Sequence, residues 1–410
     1  MHGALVVSVL ITAAIFLALT ILIVAAKAWR EFRDGWRRAR RRVLEPVILK
    51  YAHGSDASIL PALGGGIAKR DRVVVETILL DHVSRIRGIE HARLCRVLDE
   101  LGFVDRYLAK LRGSRWWGRA RAAENLGLAR AKRATGPLAE ALDDEVPEVR
   151  LRAAKALGLV GGRAAVRPLI QALTEPNRWS TIRIADILTG MGGGVVQELM
   201  DAFPELNPHA KLAALDILGR IHALEAVPWL VSRLDDRESD VRARAAHALG
   251  AIGVVDAAPM LRKALRDAAW PVRAMAAKAL GRVHDLVAIP VLCEALHDSE
   301  WWVRANAAEA IKLAGPPGLE ALEWMLADAD LFARHQACLM LEDAGLLDRR
   351  VAQLAGNGEL RAAAESLVSR FVEAGQIGRL RELAATHSDE AVRRALLRLL
   401  PRESVTEAAR

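Results

Sequence analysis

The sequence predicts an all-α fold: an α-solenoid of antiparallel helix pairs preceded by one transmembrane helix. Three observations carry that prediction. A segment of the form VRxxAAxALG recurs about every 31 residues, as at Val149–Gly158, Val241–Gly250 and Val272–Gly281, and self-similarity at that period marks stacked helical repeats. Ala4 to Ala26 contains no charged residue. Aromatic residues make up only 4% of the 410-residue chain, and Ala and Leu dominate, which suits close-packed helices better than sheets.

As a helix, the apolar run spans about 34 Å, enough for a hydrocarbon core of about 30 Å. Met1-His2-Gly3 lacks the basic residue that a cleaved signal peptide wants, although Ala25, Ala26 and Ala28 imitate a cleavage site. A basic flank follows. Lys27, Arg30, Arg33, Arg37, Arg38, Arg40, Arg41, Arg42 and Lys50 stand against Glu31, Asp34 and Glu45, which places six of the net eight positive charges between residues 27 and 50. Cationic residues beside a transmembrane helix stay in the cytoplasm. The expected place is therefore a bacterial inner membrane, crossed once, with the N-terminus outside and the solenoid in the cytoplasm. The same cluster, with Trp29 and Trp36, suits anionic lipid headgroups. The expected domains are a transmembrane helix (1–27), a basic juxtamembrane segment (28–50), a helical cap (51–118), the repeats (119–400) and a C-terminal tail (401–410).

The cap shows helical periodicity without the repeat consensus, as expected of two or three helices. Within each repeat the VRxxAAxALG segment reads as a first helix ended by a glycine (Gly127, Gly158, Gly219, Gly250, Gly281) in the left-handed C′ conformation. A proline then opens the second helix: Pro137, Pro168, Pro228, Pro259 or Pro290. Leucines four apart, such as Leu138/Leu142 and Leu261/Leu265, give that helix one core face. Each first helix also carries a basic residue, Arg119, Arg150, Lys211, Arg242, Arg273, Arg304 or Arg334. Asp144, Asp236, Asp267, Asp298 and Asp328 each lie six positions before one of these. Such an Asp can cap the next helix and pair with the Arg of its own or an adjacent repeat. Nine or ten pairs are expected, with degenerate capping units after residue 345.

The consensus, with its Gly, Pro, paired Leu and closing Asp, resembles the short HEAT repeats of the phycobilisome-lyase type. The resemblance covers residues 119 to about 345 well and continues weakly to 400. It implies a right-handed superhelix with first helices convex and second helices concave, and it implies no particular activity.

No GxSxG, HExxH, EF-hand or Walker sequence is present, so no catalytic residue is assigned and the expectation is a non-enzyme. No cofactor or metal is expected: the eleven histidines are scattered, and Cys95, Cys293 and Cys338 form no CxxC pair. Gly190-Met191-Gly192-Gly193-Gly194 lacks the strand and lysine of a phosphate loop and reads as an interhelical turn. The residues expected to face the groove are Ala139-Glu140, Ile170-Gln171, Val231-Ser232, Arg262-Lys263, Cys293-Glu294 and Glu323-Trp324. Only one of these pairs is basic, which argues against nucleic acid.

Tryptophan is the more informative residue. Trp116, Trp117, Trp179, Trp270, Trp301 and Trp302 cluster just before first helices, where position-matched residues of adjacent units come close. Flanked by Arg, they are candidate protein-binding residues. Trp270, Trp301 and Trp302 are expected to be near neighbours. The function that fits is a membrane-anchored scaffold or adaptor with a protein partner in a membrane complex. Alternatives are an enzyme or cofactor-handling protein resembling the chromophore lyases, and a regulator of a membrane glycosyltransferase or exopolysaccharide system.

Overall fold

The computed structural model describes residues 2–54, 59, 66–175 and 180–401, with side chains from residue 15 onward. Every regular element among them is helical. Two compact units divide the chain after Leu169, inside the repeat array.

The first unit holds α1 (His2–Gly54), α2 (Arg72–Arg85), α3 (Ile89–Glu100), α4 (Phe103–Leu111), α5 (Trp116–Leu128), α6 (Thr135–Glu140) and α7 (Pro147–Val160). The next helix, α8 (Arg163–Leu173), runs across the division. The apolar run and its basic flank are one continuous helix, α1. Its last turns bury Leu44, Ile48 and Ala52, and it packs on α2 and α3.

Two arginines of the flank are committed inside the protein, which corrects the expectation that the whole cluster faces lipid. Arg40 forks onto Asp71 at 2.8 and 2.6 Å, and Arg41 onto Glu45 with a third bond to Asp81. The Asp71 carboxyl is held below its usual range chiefly by that Arg40 hydrogen bond. Of the expected membrane segment, the part up to Ala14 lies outside the described side chains. From Ile15 to Val24 the large apolar side chains are exposed. Among the described residues no helix is long and apolar enough to cross a membrane.

The second unit continues with α9 (Thr181–Gly190), α10 (Val196–Ala202), α11 (Pro208–Arg220), α12 (Val227–Arg233), α13 (Ser239–Ile252), α14 (Ala258–Ala264), α15 (Trp270–Val283) and α16 (Ile289–Ala295). It closes with α17 (Trp301–Leu313), α18 (Pro316–Met325), α19 (Leu331–Asp343), α20 (Leu346–Ala352), α21 (Gly358–Glu373), α22 (Gly378–Thr386) and α23 (Glu390–Leu399). The described residues thus form nine helix pairs from α5 to α22, followed by α23.

First helices stack on first helices, α5 on α7 and α11, α13, α15 and α17 in succession, and α6, α12, α14, α16 and α18 each pack on the next first helix. The paired leucines of the second helices are buried as expected.

The consensus glycines have a different role from the one expected. Gly127, Gly158, Gly219, Gly250 and Gly281 lie inside their helices, and none has a positive φ. At Gly127, Gly250 and Gly281 an added Cβ would sit 2.6–2.8 Å from the Cα of Ala156, Ala279 and Ala310. Glycine is there to let two helix backbones touch. The left-handed residue comes three positions later instead: Arg130, Gly161, His222, Gly253, His284 and Gly315, joined by Gly192 and Gly345. Gly192 places the glycine-rich stretch in this same series, as an interhelical turn.

The prolines also sit slightly further in than expected. A 3-10 turn precedes α6, α12, α14 and α16, and Pro228, Pro259 and Pro290 are the second residue of the α-helical part. Pro137 is the third residue of α6, and Pro168 lies inside α8. Proline has no amide to donate, so an i→i−4 ladder starts cleanly just around it.

Candidate protein-interaction surface

The recurring geometry of the repeat is a clamp. Arg119, Arg242 and Arg273 fork onto both carboxylate oxygens of Asp144, Asp267 and Asp298 at 2.6–2.9 Å, each Asp lying 25 residues later in the next unit. The Nη1 of Arg150, Arg242, Arg273 and Arg304 donates to the backbone carbonyl of the Asp six residues earlier. Each carboxylate also accepts an amide two residues on, as Asp267 does from Ala269 at 2.8 Å. That is an Asx turn setting up the N-cap residue, not a cap on the helix itself. Lys211 is the variant: it pairs with Glu238 at 3.0 Å, and Asp236 is left with Arg233 at 3.7 Å.

The clamp fails at Arg304. Asp328 comes one residue too early for the fork and accepts from His297 at 2.9 Å. Arg304 is buried with its Nε unpartnered, and its guanidinium lies 4.8 Å over the ring of Phe332. Arg334 likewise keeps a buried Nε without a partner.

The tryptophans open the first helices. Trp116, Trp270 and Trp301 are the first residues of α5, α15 and α17, with Trp117 and Trp302 second. All five are exposed, at 40–57% of their surface. Trp301 and Trp302 stand edge to face at 4.7 Å, and Trp116 and Trp117 at 6.0 Å. Trp270 makes no ring pair among the described residues, so the expected cluster of three is a pair plus a neighbour one unit back. Trp179 lies outside the described residues. The register missed two members: Leu331 and Phe332 open α19 in the same positions and are 57% and 60% exposed. The matching offset from Arg334 was the available signal.

Of the positions expected to face the groove, Ile170 is buried and the others are at least partly exposed. The single basic pair is neutralised: Arg262 bonds Asp285 at 2.6 Å and Lys263 bonds Asp235 at 3.0 Å. Burial pushes the thiols of Cys95 and Cys293 up to about 11 and that of Cys338 to about 12, which makes them poor nucleophiles at neutral pH. Among the described residues no group of three His, Cys, Asp or Glu is placed to hold a metal.

A family model described as HEAT repeats matches residues 104–187, 196–281 and 258–342, together more than half of the chain. No curated protein matches the sequence. Among solved structures, an engineered protein matches at 20% identity and TM-score 0.35, over 72% of this chain and 97% of its own. Kap121p matches at 12% identity and TM-score 0.44, over 89% of this chain, which spans only 49% of that protein. The complex of CpcE and CpcF of phycocyanin lyase from Nostoc sp. PCC7120 matches at 25% identity and TM-score 0.28, over 59% of this chain and 94% of that one.

Proposed function

Because the chain belongs to the HEAT-repeat family, we propose that it is a membrane-anchored scaffold whose second unit holds a protein partner on the edge formed by the starts of α15, α17 and α19. The observation that carries this reading is the run of exposed large apolar side chains there: Trp270, Trp301, Trp302, Leu331 and Phe332. Exposed large apolar side chains at one register position on successive units are characteristic of interfaces, and Trp beside Arg is the composition of binding hot spots. The anchor is supported by the uncharged run in α1, by its exposed continuation from Ile15, and by Lys27, Arg30, Arg38 and Arg42, which form no ion pair among the described residues. The partner then belongs to a membrane or membrane-associated complex, and these free cations meet anionic headgroups.

The test is a paired one on Trp301→Ala and Trp302→Ala. Affinity for a partner recovered by cross-linking from host membranes should fall about 30- to 1000-fold while the melting temperature changes little. Lost stability with unchanged partner recovery would make the edge packing alone and remove this reading.

A further inference from the structure

The first unit carries a groove that the repeat pattern does not explain. Two adjoining hollows of about 660 and 830 Å³ share the walls Leu80, Asp81, Trp117, Arg121 and Asn125. One reaches along α2 and α4 to Tyr107 and Lys110; the other extends over α5 to Glu148 and Arg152 of α7. Trp117 stands exposed between them. Two adjoining hollows that share one exposed indole as a wall suit an extended occupant.

Charge states what kind. Every acidic side chain of the groove is already matched. Glu76 accepts from the Tyr107 hydroxyl at 2.9 Å and lies 3.7 Å from Arg106. Asp81 takes Arg41, and Glu124 and Glu148 both take Arg152. Of the cations, Arg106 and Arg152 are taken up in these pairs, but three others are not. Lys110 and Arg121 have no hydrogen-bond or ion-pair partner among the described residues, and Arg115 lies over the Trp117 ring at 5.8 Å. The groove therefore presents uncompensated positive charge beside an exposed aromatic face.

Asn125 is the second, independent observation. It is only 6% exposed, it lines both hollows, and its side chain hydrogen-bonds no described group. Four later first helices carry Ala156, Ala248, Ala279 and Ala310 at the matching position, each pressed against the glycine of the preceding first helix, while α11 carries Ile217. No such glycine helix precedes α5, so position 125 is free of that constraint, and it holds a primary amide where alanine would pack. Its amide atoms are not sealed from solvent, so they open onto the hollows and are available to a ligand. One donor and one acceptor on neighbouring atoms match a peptide bond.

We propose that this groove binds an extended acidic peptide segment of a partner protein, with an aromatic or apolar side chain on Trp117, a carboxylate at Arg121 and Lys110, and a backbone amide on Asn125. The inference rests on the scaffold reading but uses a different surface from the tryptophan edge of the second unit.

Selection of phage-displayed random dodecapeptides on the full chain in detergent micelles tests it. The enriched peptides should combine Asp or Glu with an aromatic residue. Their affinity, read by fluorescence anisotropy, should fall at least about tenfold with Arg121→Glu and recover in part with Arg121→Lys. Asn125→Ala installs the residue that four other first helices carry, so the melting temperature should hold while binding weakens several-fold. No enrichment, enrichment of basic peptides, or equal binding to Arg121→Glu would overturn the proposal. Displacement of the peptides by millimolar inorganic phosphate, without dependence on their aromatic residue, would make the site a small-anion site and overturn it too. Cross-linked partner recovery from host membranes, run in parallel on Arg121→Glu and Trp302→Ala, separates the two readings. Loss with Trp302→Ala alone keeps the scaffold and removes the groove.

Discussion

Gly250 lies so close to Ala279 that a Cβ on the glycine would be 2.6 Å from the Ala279 Cα and 2.7 Å from its Cβ. No side-chain rotation relieves that contact, because both partners are at or next to the backbone. Gly250→Ala should therefore destabilise by about 1–3 kcal/mol despite the helix propensity it gains. Gly219 is the internal control: its virtual Cβ meets Ala248 at 3.0 and 3.3 Å, a looser contact. There the gain of about 1 kcal/mol from replacing a helical glycine should largely offset the crowding. Chemical denaturation of the two variants checks the order; equal losses would contradict the close-approach account.

The Arg242–Asp267 fork should behave as the strongest link between its two units. Both side chains are mostly buried, at 17% and 15% exposure, and the Arg also donates to two backbone carbonyls. Arg242→Ala leaves those acceptors unsatisfied and should cost about 1–3 kcal/mol. The same pair sets an acid limb. The Asp267 carboxyl is held below its usual range first by the Arg242 hydrogen bond, with burial opposing. Its folded pKa lies below the unfolded value of about 3.9, so its contribution is present above that pH and is lost as pH falls through the folded pKa. Arg242→Ala should flatten this limb in a denaturant series run between neutral pH and about pH 3. His297 has the opposite sign: the hydrogen bond to Asp328 raises its pKa. That contribution is full below about 6.5 and fades as pH rises through the folded value.

The repeat period, the buried leucine pairs and the Asp-to-Arg spacing were all legible in the sequence, because they depend on residue type at fixed offsets. The role of the glycines was not. Gly250 reads as a helix stop by local rules, and only the neighbouring helix shows that it is a contact point. The failure of the clamp at Arg304 depends on a spacing one residue short, which the sequence does contain. That Phe332 then takes the guanidinium needed the structure. The groove around Asn125 was invisible for a related reason. It is built from helices outside the repeat consensus, and the absence of hydrogen bonds to one amide has no sequence signature.

The left-handed residue after each first helix gives a stabilising prediction. Gly161, Gly253 and Gly315 occupy that position at no steric cost, whereas Arg130 has φ 45° and His222 φ 51°. A side chain with a Cβ pays about 1 kcal/mol there relative to glycine, so Arg130→Gly and His222→Gly should each raise stability by about 0.5–1 kcal/mol. His284, at φ 53°, also places its Nδ1 3.3 Å from the Leu313 carbonyl, and His284→Gly should gain less. Thermal melts of the three variants read the order directly. A loss at Arg130 or His222 would show that the side chain holds the turn by contacts that outweigh its backbone strain.

The last prediction concerns topology and uses the division of labour within the basic flank. Under the proposed anchoring, a phosphatase fused after Arg410 should be inactive and a fluorescent cytoplasmic reporter active, since positive charge follows the apolar run. Which arginines set that orientation follows from the structure. Arg40 and Arg41 are spent on Asp71, Glu45 and Asp81, and neutralising them should loosen α1 from α2 and lower stability. Lys27, Arg30, Arg38 and Arg42 have no carboxylate partner among the described residues, so their charge is free to act on the membrane. Replacing these four with glutamine should weaken the orientation preference and membrane retention while leaving the melting of the helical units unchanged. Replacing Arg40 and Arg41 should do the reverse. An active phosphatase in the unmodified chain, or release of that chain from membranes by carbonate, would remove the anchor from the proposal and leave the helical repeats without it.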